Sequence, residues 1–130
     1  MQINRDLAYL IGFFIGDGNL SNNYLIRATT KNKEFAQFIS TLFYKLFNKK
    51  PNIYFDRYNN SFVVYTCSKD IWSFFVDDLK IPFGTKSRIV EIPRRIMKSD
   101  LDIKTAFVSG LYDAEASVVN MIDKNIQMDT

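Results

Sequence analysis

The chain has 130 residues, enough for one domain with its own core, and it contains no histidine. That absence excludes His-dependent nucleases, Ser-His and Cys-His triads and histidine zinc sites, so any hydrolysis must use carboxylates, lysines, bound metal and water. Seventeen basic and 14 acidic side chains give a net charge of +3, which is compatible with nucleic acid but weak evidence for it. The single cysteine, Cys67, excludes an internal disulfide. With no secretory signal visible, we expect an intracellular, cytoplasmic protein.

Two stretches of the chain are near-copies of each other. Residues 7–18 read LAYLIGFFIGDG, and residues 105–116, which lie 98 positions later (105 minus 7), read TAFVSGLYDAEA. Each copy has three small residues spaced four apart, followed at once by an acid: Ala8, Gly12, Gly16 and Asp17, then Ala106, Gly110, Ala114 and Glu115. Because residues four apart share a helix face, each copy is predicted to be a helix with a stripe of small side chains.

Matching stripes predict that the two helices pack on each other with closely spaced backbones. This packing would bring Asp17 and Glu115 together at one end of the pair. A single copy would equally fit a helix end followed by a glycine turn. A membrane dimerisation stripe is the other alternative, but the apolar run over residues 7–15 is far shorter than the roughly twenty residues that span a bilayer.

Both copies resemble the motif of the LAGLIDADG homing endonucleases, through LIGFFIGDG (residues 10–18) and VSGLYDAEA (residues 108–116). IPFGTKS (81–87) and EIPRRI (91–96) are similar to the connector of double-motif and intein-borne members. The resemblance implies that Asp17 and Glu115 bind divalent metal, Mg²⁺ or Mn²⁺, for DNA cleavage, with the carbonyls of Gly16 and Ala114 as further ligands. The second copy departs from the pattern by ending in Ala116 where glycine is usual, and a left-handed residue there would be strained.

Between the motifs, the pattern predicts an antiparallel α+β arrangement. A short extended segment over 19–21 and a strand over 24–30 precede a helix over 31–47, for which Thr30 is the predicted N-cap. Two strands over 52–58 and 61–67 are joined by a turn at 59–60, and Ser68 opens a helix over 69–79. The resemblance adds that the sheet is saddle-shaped, in the order αββαββα, followed by the second motif helix.

Alternation along the strands predicts one apolar and one polar sheet face. Ile53, Phe55, Phe62 and Val64 are expected to face the helices. The other face would then carry Arg27, Thr29, Tyr54, Asp56, Tyr58 and Tyr65. A ribbon of this kind fits the DNA major groove and can touch base edges. The alternative is the polar side of an ordinary half-buried sheet, and a slip of one residue would exchange the faces.

Basic residues form a third group of candidates. The resemblance implies that Lys69, at a strand-to-helix junction, stands near the scissile phosphate and stabilises transition-state charge or activates water. Lys86, Arg88, Arg94, Arg95 and Lys98 make the densest basic stretch, in which Pro93 suits the start of a short helix. These side chains would neutralise DNA phosphates. For Lys69 and for the basic stretch, the alternative is ordinary solvated surface.

Length separates this chain from a complete double-motif enzyme. We expect a first half-domain over 1–80, a basic connector over 81–104, and a second motif helix with a short remnant over 105–130. Residues 118–128 would supply at most a strand or hairpin. The resemblance therefore implies a site-specific double-stranded DNA endonuclease, of intron or intein type, that needs a complementing half-domain or a homodimer. The alternatives are a non-catalytic DNA-binding or RNA-maturase module and a self-associating remnant.

Overall fold

The computed structural model describes residues 2–81 and 92–128, and over 115–128 it describes the backbone alone. The described elements follow the order αββαββα, then a short helix and the second motif helix, which confirms the predicted fold class. Their bounds are α1 Arg5–Asp17, β1 Gly18–Leu20, β2 Leu25–Thr30, α2 Lys33–Phe47, β3 Asn52–Asp56, β4 Ser61–Cys67, α3 Lys69–Ser73 with a π-helical turn Phe74–Asp78, α4 Arg94–Met97 and α5 Leu101–Met128. Within the described residues, no helix is long and apolar enough to cross a membrane.

The four strands form one antiparallel sheet in the order β1-β2-β4-β3. Arg27 lies opposite Tyr65, and Tyr54 lies opposite Val63. Opposite residues of an antiparallel pair share a face, so this register confirms the predicted assignment of the two faces. The exception is Tyr58, which was predicted on the open face but lies beyond the end of β3. Ile53 and Phe55 lie on the helix side as predicted, and they stay 37% and 44% exposed because β3 is an edge strand.

The helices cover the sheet face opposite Arg27, and the core between the helices and the sheet is rich in phenylalanine. The largest fully buried side chains include Phe13, Phe43, Phe75 and Phe107. In α3 and the turn that follows it, the buried apolar residues include Ile71, Trp72, Phe75 and Leu79. In α2, Phe38 is half exposed and meets the ring of Tyr9 edge-on.

Two predicted boundaries are wrong because the side chains of Asn32 and Asp56 accept hydrogen bonds from nearby backbone N–H groups. Asn32, not Thr30, caps α2, since its Oδ1 accepts the Phe35 N–H at 3.0 Å, while Thr30 remains in β2. Strand β3 ends at Asp56 rather than at residue 58. There the Asp56 carboxylate accepts the N–H groups of Tyr58 and Asn59 and closes the loop over 57–60. Short polar side chains of this kind compete with the sheet ladder for backbone donors.

The expected strand or hairpin over 118–128 is also wrong, because α5 continues as a helix to Met128. In the first copy α1 stops at Gly18, which is extended at φ −91°. A Cβ on Gly18 would lie 2.3 Å from Cδ1 of Phe14, so glycine is needed there for space and not for left-handed backbone. The second copy has Ala116 instead, and residues 116–128 include no glycine or proline to end the helix.

Lys80 lies just after the π-helical turn that follows α3, in a left-handed backbone conformation. It has a φ of 59°, and the N–H of the next residue, Ile81, donates to the Phe75 carbonyl at 3.0 Å. This is the position at which helices favour glycine. We expect Lys80→Gly to raise the free energy of unfolding by about 0.5–1 kcal/mol, measured by urea denaturation. The matched variant Asp78→Gly, inside the helical turn, should lower it by a similar amount. Equal signs for the two variants would contradict this account.

Candidate functional site

The contact between α1 and α5 is close enough to exclude any side chain at two positions. A Cβ built on Gly12 would lie 2.1 Å from the carbonyl oxygen of Phe107. A Cβ built on Gly110 would lie 2.0 Å from the carbonyl oxygen of Tyr9. Both obstacles are helix backbone, which cannot rotate away as a side chain could. The two small-residue stripes therefore set the distance between the helices.

These contacts are related by an approximate twofold axis. Adding 98 takes Gly12 to Gly110 and Tyr9 to Phe107, so the two glycine contacts are exchanged copies of one another. Adding 98 to 16 gives 114, and Gly16 does face Ala114: its Cβ would lie 2.7 Å from that of Ala114. A contact between equivalent residues lies on the axis itself. The axis therefore passes between Gly16 and Ala114.

Asp17 and Glu115 directly follow the two axial residues, so the structure brings their backbone positions to the same end of the helix pair. Asp17 is the last residue of α1 and is partly buried. Residue 115 belongs to α5, and its side chain lies outside the described part. Among the side chains that are described, no three acids or cysteines cluster as a metal cage. Two carboxylates completed by substrate phosphates and water are nevertheless a donor set that fits Mg²⁺.

The open face of the sheet begins next to this axis, because β1 starts at Gly18. Arg27 is exposed on the face, and the rings of Tyr54 and Tyr65 meet edge-on with centroids 5.5 Å apart. Hydrogen bonding to the Asn59 side chain lowers the pKa of Asp56, helped by the backbone of the loop and by the charge of Arg27. Asp56 therefore presents a carboxylate. Thr29 lies between Arg27 and the end of β2, on the same face, and Tyr58 is in the loop.

Two side chains of this face were missed by the sequence reasoning. Asn19 lies opposite Arg27, and Asn52 lies opposite Tyr65, so both belong to the open face, and both are exposed. Each stands at a predicted strand end or turn, where asparagine is common for local reasons. Only the pairing register of the strands shows that Asn19 and Asn52 lie on the open face, and this register cannot be read from the sequence.

The predicted basic residues are spread over several elements. Lys69 is the exposed first residue of α3, after Ser68, whose Oγ accepts the Ile71 N–H at 3.3 Å. Arg94 is exposed in α4, and the guanidinium of Arg95 lies 5.9 Å from the centre of the Phe74 ring. Lys86 and Arg88 lie outside the described residues.

Comparison with known families identifies this architecture. The profile of the LAGLIDADG-like domain matches residues 4–98, which include the first motif helix, the whole sheet and α2 to α4. The chain belongs to the LAGLIDADG family. The profile match ends before the second motif, whose pairing with the first is shown by the helix contacts.

Solved structures of the homing endonuclease I-DmoI share this LAGLIDADG fold. One is I-DmoI with DNA and Mn, at 22% identity and a TM-score of 0.56, covering 87% of this chain and 63% of that one. Another is an I-DmoI variant with its nicked target DNA in the presence of Mn, at 22% identity and a TM-score of 0.58, covering 88% and 63%. The LAGLIDADG chain described here therefore spans about three-fifths of I-DmoI. At this identity the likeness establishes the fold alone.

A curated protein of different chemistry also contains a similar stretch. It is a glutamine–fructose-6-phosphate aminotransferase of Methanocaldococcus jannaschii, 26% identical over 113 residues. The match takes in 87% of this chain but 10% of that protein. Since nine-tenths of the aminotransferase has no counterpart here, its activity is not carried over to this LAGLIDADG chain.

A polar contact crosses the helix pair from Tyr9, just before the first LAGLIDADG motif (10–18), to Asp113, inside the second (108–116). The hydroxyl of Tyr9 donates to the Asp113 carboxylate across the pair, between residues 104 positions apart. Burial raises the pKa of Tyr9 above its ordinary range, and the hydrogen bond and charge of Asp113 raise it further. Tyr9 is therefore a neutral donor at physiological pH. No local pattern in the sequence indicates this bond.

Proposed function

We propose that the chain forms part of a site-specific double-stranded DNA endonuclease of the homing type. A divalent ion, Mg²⁺ or Mn²⁺, would be held between Asp17 and Glu115 beside the axis. The observation that carries the proposal is the approximate twofold axis between Gly16 and Ala114, because it makes the two acids structural equivalents. The chain would comprise a half-domain over 1–80, a basic connector over 81–104 and the second motif helix over 105–130.

Hydrolysis of a phosphodiester requires an activated water and a stabilised leaving oxygen, and bound divalent ions supply both. Two equivalent acids suit a duplex, whose two strands are themselves related by twofold symmetry. Gly16 and Ala114 lie on the axis, where their backbone carbonyls can add oxygen ligands. Lys69 would act beside the phosphate as a cation. This role rests on the family resemblance and on the exposure of Lys69 at the start of α3.

The open face would read DNA in the major groove. Arg27, Asp56, Asn19 and Asn52 offer donors and acceptors of the kinds that pair with base edges. That the I-DmoI neighbours were solved with DNA and Mn supports both the partner and the metal. Arg94 would contact phosphates, as would Lys86 and Arg88. The presence of a similar stretch within an aminotransferase, of which it makes up 10%, supports an inserted, intein-type setting.

A second sheet, from a complementing half-domain or another copy, would complete the enzyme. Among the described residues there is one sheet, on the α1 side of the pair. The outer side of α5 carries apolar residues that stay exposed: Leu101 at 78%, Val108 at 55% and Tyr112 at 70%. These three residues recur at helical spacing and so form one face, which such a half would cover.

The proposal is tested by incubating the purified chain with long randomised DNA duplexes. One arm contains Mg²⁺, a second Mn²⁺, and a third Ca²⁺, which permits recovery of bound duplexes. We expect selective binding in Ca²⁺, followed by cleavage of the selected sequence in Mg²⁺ or Mn²⁺. Binding without cleavage in any metal would instead identify a DNA-binding module. Absence of selective binding and of cleavage would overturn the proposal.

Arg27 gives a residue-level test of the open face. We expect Arg27→Ala to weaken binding of the selected duplex about 10-fold to 100-fold and to relax specificity at one base pair, since a base contact by arginine is worth about 1–3 kcal/mol. The matched control is Lys33→Ala, an exposed cation at the start of α2 on the helix side of the sheet. Titration of labelled duplex in Ca²⁺ measures both. Equal losses would mean that the net charge, and not the open face, governs binding.

A further inference from the structure

The Tyr9–Asp113 bond breaks the approximate symmetry of the helix pair. The equivalent of Tyr9 is Phe107 (9 plus 98), and the equivalent of Asp113 is Ile15 (113 minus 98). One side of the interface thus joins a hydroxyl to a carboxylate, while the equivalent residues on the other side are two apolar side chains. The glycine contacts, in contrast, are the same on both sides.

We propose that the Tyr9–Asp113 bond makes each motif helix selective for the other, so that α1 pairs with α5 and not with a second α1 or a second α5. At Gly12 and Gly110 the small-residue stripes do not discriminate, because these equivalent residues are identical. At the axis the stripes act only against two α5 helices, which would have to separate slightly, since a Cβ at position 16 already lies 2.7 Å from that of Ala114. The choice against two α1 helices therefore depends on the polar pair, which also acts against two α5 helices.

Each like pairing would leave polar groups without partners. In a pair of two α1 helices, each Tyr9 hydroxyl would face Ile15, which offers no acceptor. In a pair of two α5 helices, each Asp113 carboxylate would face Phe107, which offers no donor and is 1% exposed in the native pair. A partly buried polar group without a hydrogen bond is disfavoured, and a single such residue is known to decide partner choice between helices.

The Tyr9–Asp113 bond thus limits which partner the helix pair accepts. A second copy of the chain can preserve the bond only if α1 of each chain pairs with α5 of the other, and not if like helices pair. The selectivity concerns the helix pair alone and does not depend on DNA cleavage, so it can be tested even where the proposed endonuclease function fails.

A disulfide reporter distinguishes like from unlike pairing in the full chain. Ala114 lies on the axis, so Ala114→Cys places two thiols together only when two α5 helices pair; in the native pair the thiol faces Gly16. Cys67, which is exposed, is first replaced by Ser. The protein is refolded from urea at high concentration in a glutathione buffer, and the disulfide-linked dimer is measured on a non-reducing gel.

We expect little cross-linked dimer from the reporter alone and about tenfold more when Tyr9→Phe is added. Without the hydroxyl, Asp113 lacks its donor in like and unlike pairings alike, so the polar part of the preference disappears. The advantage of intramolecular pairing and the steric cost at position 114 are the same in both proteins and cancel in the comparison. Asp113→Asn, made in the reporter with Tyr9 intact, keeps an acceptor for the Tyr9 hydroxyl, so cross-linking should stay low.

A bond with a merely structural role would lower stability in Tyr9→Phe without changing the cross-linked fraction. That result would overturn the proposal, as would equal cross-linking in Tyr9→Phe and Asp113→Asn. Circular dichroism follows refolding of each variant. Failure of Tyr9→Phe to refold would also overturn it, because a hydroxyl that only selects the partner is not required for the fold.

Discussion

Replacing Asp17 by Asn is expected to abolish DNA cleavage while DNA binding stays within about twofold of the wild type. Asn has the same shape but lacks the negative charge that, in the proposed function, would hold a divalent ion at the end of α1. Metal stabilisation of transition-state charge is worth several kcal/mol, so the loss should be at least about a thousandfold. Single-turnover cleavage of the selected duplex in Mg²⁺ measures the rate, and titration in Ca²⁺ measures binding.

The control for this prediction is Asp6→Asn, at the opposite end of the same helix. Asp6 pairs with Lys45 at 2.7 Å, and both side chains are largely exposed. An exposed ion pair contributes little to stability, about 0–1 kcal/mol. Cleavage by Asp6→Asn should therefore be unchanged. If Asp17→Asn cleaves as fast as Asp6→Asn, the metal is not held by the motif acid.

Gly110→Ala is the substitution with the largest expected effect on stability. Its Cβ would lie 2.0 Å from the Tyr9 carbonyl oxygen and 3.0 Å from the Phe13 nitrogen, so the two helices must separate. We expect a loss of about 3 kcal/mol or more in the free energy of unfolding. For a domain of this size, that corresponds to a fall of roughly 10 °C in Tm. Calorimetry or thermal circular dichroism checks the change.

The twofold relation supplies a second arm for this experiment. Gly12→Ala removes the equivalent glycine, whose Cβ would meet the Phe107 carbonyl oxygen, so its effect should match that of Gly110→Ala to within about 1 kcal/mol. Val108→Ala, at a largely exposed position of α5, should change stability by no more than about 0.5 kcal/mol. Tolerance of Gly110→Ala at the level of Val108→Ala would contradict the close packing of the helices.

Much of the architecture follows from local patterns in the chain. Small residues spaced four apart predicted the two motif helices and their contact, since that spacing places the stripe on one helix face. Alternation predicted the sheet faces, because side chains of a strand point to opposite sides in turn. The resemblance of the two motifs to the LAGLIDADG family is confirmed by the family profile and by the fold shared with I-DmoI.

Local chemistry overrode the pattern at element ends. Asn32 capped α2 in place of Thr30, and Asp56 ended β3 early, because their side chains accept backbone N–H groups a few residues ahead. Ala116 let α5 run on where Gly18 ended α1. Competing local hydrogen bonds of similar strength decide such boundaries, so a periodic pattern places them only to within a few residues.

The sequence by itself thus determined the helices, the strands and the pair of motif acids, because each depends on residues close together in the chain. The tertiary structure alone decided the position of the axis between Gly16 and Ala114, the place of Asn19 and Asn52 on the open face, and the bond from Tyr9 to Asp113. Those features depend on which distant residues the packing and strand register bring face to face, and local periodicity carries no information about that choice.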